Sequence, residues 1–179
     1  QGCLPLALHP VMTFTGTSID LNRLSACPFG ITTVQTLRPV AETLVVEIGG
    51  EPIWVPEENR GLYHAALTFG ANNLMTLVTQ TTELLEAAGI TNPENLVAPL
   101  LGASLDNALR NGDAAITGPV ARGDAGTVRE HLRVLANFDP AVSQAYRAMA
   151  RLTAIRALAS GTLQPQLAEE LLIVLADES

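Results

Sequence analysis

The sequence predicts the closing units of an α/β sheet followed by an all-helical domain. Three observations carry this. The first 55 residues read strand, strand, helix, strand. From Pro56 onward every apolar period is helical. Gly61–Thr82 is the longest stretch without a charged residue, and it reads as one long helix around which the rest is arranged.

Leu4–Phe14 is apolar and punctuated by prolines, which suits a buried strand running into a loop. Thr15–Leu24 clusters Gly, Ser, Asp and Asn and reads as a turn. Phe29–Val34 is short and β-branched, a second strand. Leu37, Val40, Ala41, Leu44, Val45 and Ile48 recur at helical spacing, and Gly49-Gly50 stops that helix. Glu51–Val55 is the third strand. The central helix then runs from about Glu58 to Ala88. Thr91-Asn92-Pro93 opens the next, which ends at Arg110, with Pro99 and Gly102 expected to bend or break it. Ala114–Gly126 reads as a loop, Thr127–Ala136 as a short helix, Asp139–Ala159 as a longer one and Pro165–Ala176 as the last.

The bulk composition narrows the function. The chain has 179 residues, 47% of them hydrophobic and 16% charged, so it can bury a sizeable core. Its formal net charge is −8, and all ten basic residues are arginines. No basic face is visible, so neither nucleic acid nor an anionic membrane surface is an expected partner. Residues 61–82 are long enough to span a bilayer. However, His64, Asn72, Asn73 and Gln80 would be desolvated in lipid, and a buried helix of a soluble protein is expected instead. Cys3 and Cys27 are too few for a disulfide framework or a zinc cluster, which fits a reducing cytoplasm. No signal-peptide pattern is present. The opening at Gln1 runs straight into a strand, as expected of a piece of a longer protein or a processed one.

Three groups of residues could carry chemistry. His64, Thr68, Asn72, Thr76 and Gln80 recur at intervals of four and form one drifting polar stripe on the central helix. The stripe is either the wall of a site or a set of core groups that satisfy one another. As a wall, His64 would move a proton and the Asn72 carboxamide would hold a carbonyl or carboxylate. Tyr63 and Asn73 are expected to point elsewhere. His9 ends a predicted strand, where α/β sheets bind ligands, or it orders the loop that follows. Thr117-Gly118-Pro119 and Arg122-Gly123-Asp124 form an unusual loop. Arg122 could clamp a carboxylate there, or it could pair structurally while Asp124 caps the next helix. No GxGxxG follows a strand, and no phosphate loop, metal-ligand spacing or GxSxG elbow occurs.

HPVMTF, FGIT, LVVEIGGEPIWV, LYHAALTFGANNL and AAITGPVARGDAGTVREHL together resemble one family. It is a two-domain group with an N-terminal Rossmann-like NAD(P) domain and a helical C-terminal domain of unknown function, kin to ketopantoate reductase, pyrroline-5-carboxylate reductase and 6-phosphogluconate dehydrogenase. TGPxxRGD and YHxAxxxxxN are the most specific parts. The resemblance implies that residues 1–56 are the last strands and helix of the Rossmann-like sheet. It implies that residues 57–179 are a helical substrate and dimerisation domain of the 6-phosphogluconate dehydrogenase C-terminal-like type. It further implies a parent oxidoreductase using NADP or NAD on a small oxo- or hydroxy-acid, and a homodimer through the helical domain. His64 and Asn72 would face His9 across a cleft, with Thr117, Gly118 and Arg122 as substrate-binding residues. His64 stands where ketopantoate reductases carry a lysine donor. Without the glycine-rich turn this chain alone is expected to be inactive and to bind no nucleotide tightly. The competing expectation is a non-catalytic dimerisation or ligand-sensing module, in which the polar stripe is sealed and His64 is protected.

Overall fold

A computed structural model describes residues 3–176. The chain divides into two compact units, one ending at Met75 and the other starting at Thr76.

The first unit is built on a three-stranded sheet in the order β1-β2-β3, with β1 over Leu6–Pro10, β2 over Pro28–Thr33 and β3 over Glu51–Trp54. β1 runs antiparallel to β2, with His9 opposite Gly30 and Leu8 opposite Ile31. β3 runs parallel to β2, the two joined through helix α2 (Arg38–Glu47). Because side chains alternate across a strand, the sheet has two distinct faces. Leu8, Phe29, Ile31 and Trp54 point to one face, where fully buried Ala41 and Val45 of α2 pack on them. Ala7, His9, Gly30 and Thr32 point to the other.

This is the expected strand–strand–helix–strand order, with ends within a few residues of the predicted ones. Thr15–Leu24 differs. It contains a short helix, α1 (Ile19–Leu24). The nearly buried carboxylate of Asp20 accepts from the Thr15 amide and hydroxyl and from the Gly16 amide, which ties the preceding loop to this helix. The same Ser and Asp residues that favour turns also favour helix starts.

After β3, the Thr32 hydroxyl donates to the Val55 carbonyl at 2.7 Å and the Val55 amide donates to Ile31. These bonds fix the direction in which the chain leaves the sheet to start α3 (Arg60–Ala87). The long helix is where predicted, but it is not the buried helix expected. None of its residues is buried, and every residue from Thr68 to Thr79 is exposed. Phe69, Leu74, Met75 and Leu77 of α3 are largely exposed, while Leu67, Leu84 and Leu85 are half-buried. No helix among the described residues is long and apolar enough to cross a membrane.

The second unit contains α4 (Glu94–Asn111), α5 (Gly118–Arg122), α6 (Ala125–Phe138), α7 (Pro140–Ala159) and α8 (Pro165–Ala176). α4 continues through Pro99. Pro99 is the sixth residue of the helix, past its first turn, so it removes one intrahelical bond and its ring crowds the Asn95 carbonyl. Ala150, Ala154 and Ala157 form a small-residue face on α7, and α6 and α8 pack on it through Val128, Leu132, Leu171 and Leu175. Fully buried Val128, Leu171 and Leu175 each stabilise the fold by about 1.5–3 kcal/mol. Arg147 and Arg151 donate to the carbonyls of Val174 and Leu175, so two of the orphan acceptors in the last turn of α8 are filled.

The segment 114–126, read as a loop, holds α5. Thr117 precedes it, Pro119 sits in its first turn, and Gly123 at φ +70° ends it. A Cβ on Gly123 would lie 2.5 Å from Leu167 Cβ, so the α5–α6 joint needs glycine for both conformation and space. Asp124 caps α6, accepting from the Thr127 amide at 3.0 Å and the Thr127 hydroxyl at 2.7 Å.

Candidate functional site

The first unit carries a cleft of about 550 Å³ over the sheet face that α2 does not cover. Ala7, His9, Gly30 and Thr32 form its floor, and Val55, Arg60, Gly61, Tyr63 and His64 form its wall. The register accounts for the floor. His9 lies beside Gly30 and Ala7 beside Thr32, so these four side-chain positions share one face. The wall is the first turn of α3, aimed by the Thr32–Val55 and Ile31–Val55 bonds.

Three rings meet in the cleft. His9 Nδ1 lies 2.9 Å from the Tyr63 hydroxyl, a hydrogen bond whose rings stand edge to face at 5.6 Å and 89°. The His9 and His64 rings are 6.4 Å apart at 59°. Gly30 makes this possible. A Cβ built there would overlap the Tyr63 hydroxyl and come within 2.7 Å of Tyr63 Cζ. His9 and His64 are exposed, while Tyr63 is half-buried. Burial holds the Tyr63 phenol above its ordinary pKa, with a smaller contribution from Cys27, so it keeps its proton. Arg60 pairs with Glu57 at 3.3 Å, with both side chains largely exposed. The cleft lining contains no carboxylate, although the chain carries a net charge of −8. It offers hydrogen-bond donors, together with an arginine already paired to Glu57, to an oxygen-bearing ligand.

Of the residues singled out in the sequence, His9 and His64 share this cleft. The exposure of His64 means that the polar stripe is not sealed within the chain. Asn72 lies two turns farther along α3 and outside the lining. Thr117, Gly118 and Arg122 belong to the second unit, where they open and close α5. Tyr63, expected to point elsewhere, is the group bonded to His9. Gly30 and Arg60 were also missed. A glycine inside a strand marks a close approach by another group, and Gly30 was a signal of that kind. Among the described residues, no three His, Cys, Asp or Glu side chains cluster as metal ligands would.

Residues 27–153 match the model of a domain of unknown function, DUF2520. The chain belongs to the DUF2520 family. No curated protein matches it. Among solved structures, this DUF2520 chain is similar to protein TM1727 from Thermotoga maritima, at 23% identity and a TM-score of 0.72, over 87% of this chain and 62% of that one. It is also similar to a protein of Bacteroides fragilis, BF3122, called a putative NADP oxidoreductase. There the identity is 24% and the TM-score 0.70, over 86% of this chain and 59% of that one. At such identities the likeness shows the fold: a Rossmann-like sheet remnant followed by a helical domain. The DUF2520 chain spans about six tenths of the length of each of these two proteins.

Proposed function

We propose that this chain supplies the substrate side of an NAD(P)-dependent oxidoreductase acting on a small oxo- or hydroxy-acid. The observation that carries the reading is the cleft itself: two histidines, a tyrosine and an arginine converge on a lining without a carboxylate. Interconversion of a carbonyl and an alcohol moves one proton at the substrate oxygen, and imidazole is suited to hold it near neutral pH. In this reading His64 is the proton donor or acceptor and His9 assists. The neighbour's name as an NADP oxidoreductase supports the cofactor class. A ketopantoate-like acid is one candidate, with His64 replacing a lysine donor. The free thiols of Cys3 and Cys27 support a cytoplasmic setting.

The residues of this chain do not fit a nucleotide diphosphate. The turn from β2 to α2, Val34–Leu37, has no glycine and no side-chain cap, and no GxGxxG occurs elsewhere. The contribution of the chain is therefore to bind and orient the acid and to hold its proton.

The test is His64→Ala in the longer parent protein that this reading requires. Turnover of a 2-oxoacid with NADPH should fall by about 10²-fold or more. Because His64 is exposed, the melting temperature should move by no more than about 2 °C. Unchanged turnover, or a variant that fails to fold, would make His64 a structural residue. The alternative reading, a non-catalytic dimerisation module, is favoured by one observation: α3 buries none of its residues in this chain.

A further inference from the structure

We propose that Tyr63 is the positioning residue of the cleft: its hydroxyl donates to His9 Nδ1, fixes the imidazole, and leaves Nε2–H as the group presented to a substrate oxygen. For the substrate alone, this rests on the reading of the cleft given above.

Neutral imidazole has two tautomers, and the hydrogen bond at one nitrogen selects the proton at the other. Among the described residues the hydrogen-bond partner of His9 is Tyr63, at 2.9 Å from Nδ1. A phenol is a better donor than acceptor, and half-buried Tyr63 retains its proton because burial disfavours the phenolate. Were Nδ1 to donate instead, the Tyr63 proton would have to turn to another acceptor. Among the described residues the Tyr63 hydroxyl has no protein partner besides His9. The bond therefore runs from Tyr63 to Nδ1, and Nε2 carries the remaining proton. Edge-to-face seating at 89° fixes the plane of the ring as well as its tautomer.

Two elements hold this geometry. His9 is locked by the ladder opposite Gly30. Tyr63 lies over Gly30 in space that any Cβ would occupy. Gly30 is thus part of the device, although it bears no chemistry. The obstructed atoms are the far end of the Tyr63 side chain, so a methyl at Gly30 would displace the phenol before it disturbed the strand.

The test is ¹⁵N NMR of the histidine rings at about pH 8.5, where an ordinary imidazole is neutral. In the unaltered chain His9 should show a protonated Nε2 and a bare Nδ1. Tyr63→Phe keeps the ring but removes the donor, and the His9 signals should move toward a mixture of tautomers while those of His64 stay. Gly30→Ala should do the same with residue 63 left as tyrosine, because the added methyl displaces the phenol. Titration with 2-oxobutyrate should shift His9 Nε2 in the unaltered chain, and the affinity should weaken roughly 3- to 10-fold in Tyr63→Phe. A protonated Nδ1 in the unaltered chain, or a Tyr63→Phe spectrum identical at His9, overturns the proposal. If both variants lose the tautomer bias but 2-oxobutyrate shifts neither histidine, the positioning role stands and the oxo-acid reading fails.

Discussion

Asp20 and Asp124 use their charge on backbone donors rather than on chemistry. Burial raises the Asp20 pKa, but the bonds from Thr15 and Gly16 outweigh it and leave the carboxyl below its ordinary value. The amide and hydroxyl of Thr127 do the same for Asp124, helped by nearby Arg122 and His131. A depressed folded-state pKa means that the unfolded chain binds protons first as the pH falls. The stability from both groups is complete above the ordinary carboxylate value of about 3.9, and is lost as the pH falls through the lower folded-state values. Melting temperature measured against pH should therefore drop in that acid window, and Asp20→Asn should flatten the drop while lowering the plateau above it. The Asp124 cap was legible in the sequence because all its partners lie within three residues. Tyr63 was not legible, because its position depends on a ladder register and on a missing Cβ in a distant strand. Periodicity places a residue on a helix face, but it does not say where along that face a cleft begins.

The long helices were legible because their limits are marked by Pro, Gly and Asp, whose backbone preferences act locally. α1 and α5 were not, since a helix of one or two turns uses the same Ser, Thr, Asp, Pro and Gly signals as a turn. What separates the two is tertiary support. α5 exists because Val120 and Ala121 enter the core beside Leu163 and Leu171, and because Gly123 lets the chain turn sharply into α6. Gly123→Ala should cost at least about 1 kcal/mol from its left-handed backbone alone, with the collision against Leu167 added. Urea unfolding should show a lower midpoint and an unchanged slope. A variant as stable as the original would mean that the joint relaxes without cost. By contrast, Gly126→Ala should be nearly neutral, since the nearest atom to an added Cβ is an Asp124 oxygen at 3.7 Å.

The middle of α3 is largely exposed. Thr68–Thr79 is exposed all round and carries no charge, yet it includes Phe69 at 61% and Met75 at 71% exposure. A helix with that composition is not stable facing water on every side. The sequence identified it as the organising stretch and left open whether it was a core helix, the wall of a site or an interface, because hydropathy does not say what covers a helix. We propose that a second copy of this chain covers it. Ala65, Ala66, Gly70 and Ala71 allow close approach of another backbone, and pairing of the same stretch in two copies is self-complementary, as a two-fold interface requires. Sedimentation over about 1–100 µM should give twice the monomer mass throughout, since an obligate interface of this kind does not dissociate on modest dilution. Phe69→Glu with Met75→Glu should give a monomer whose sheet, and whose Tyr63–His9 bond, persist. The unaltered chain sedimenting as a monomer would overturn the pairing. So would a dimer that survives both substitutions, because two buried carboxylates facing their own copies would each lack a partner.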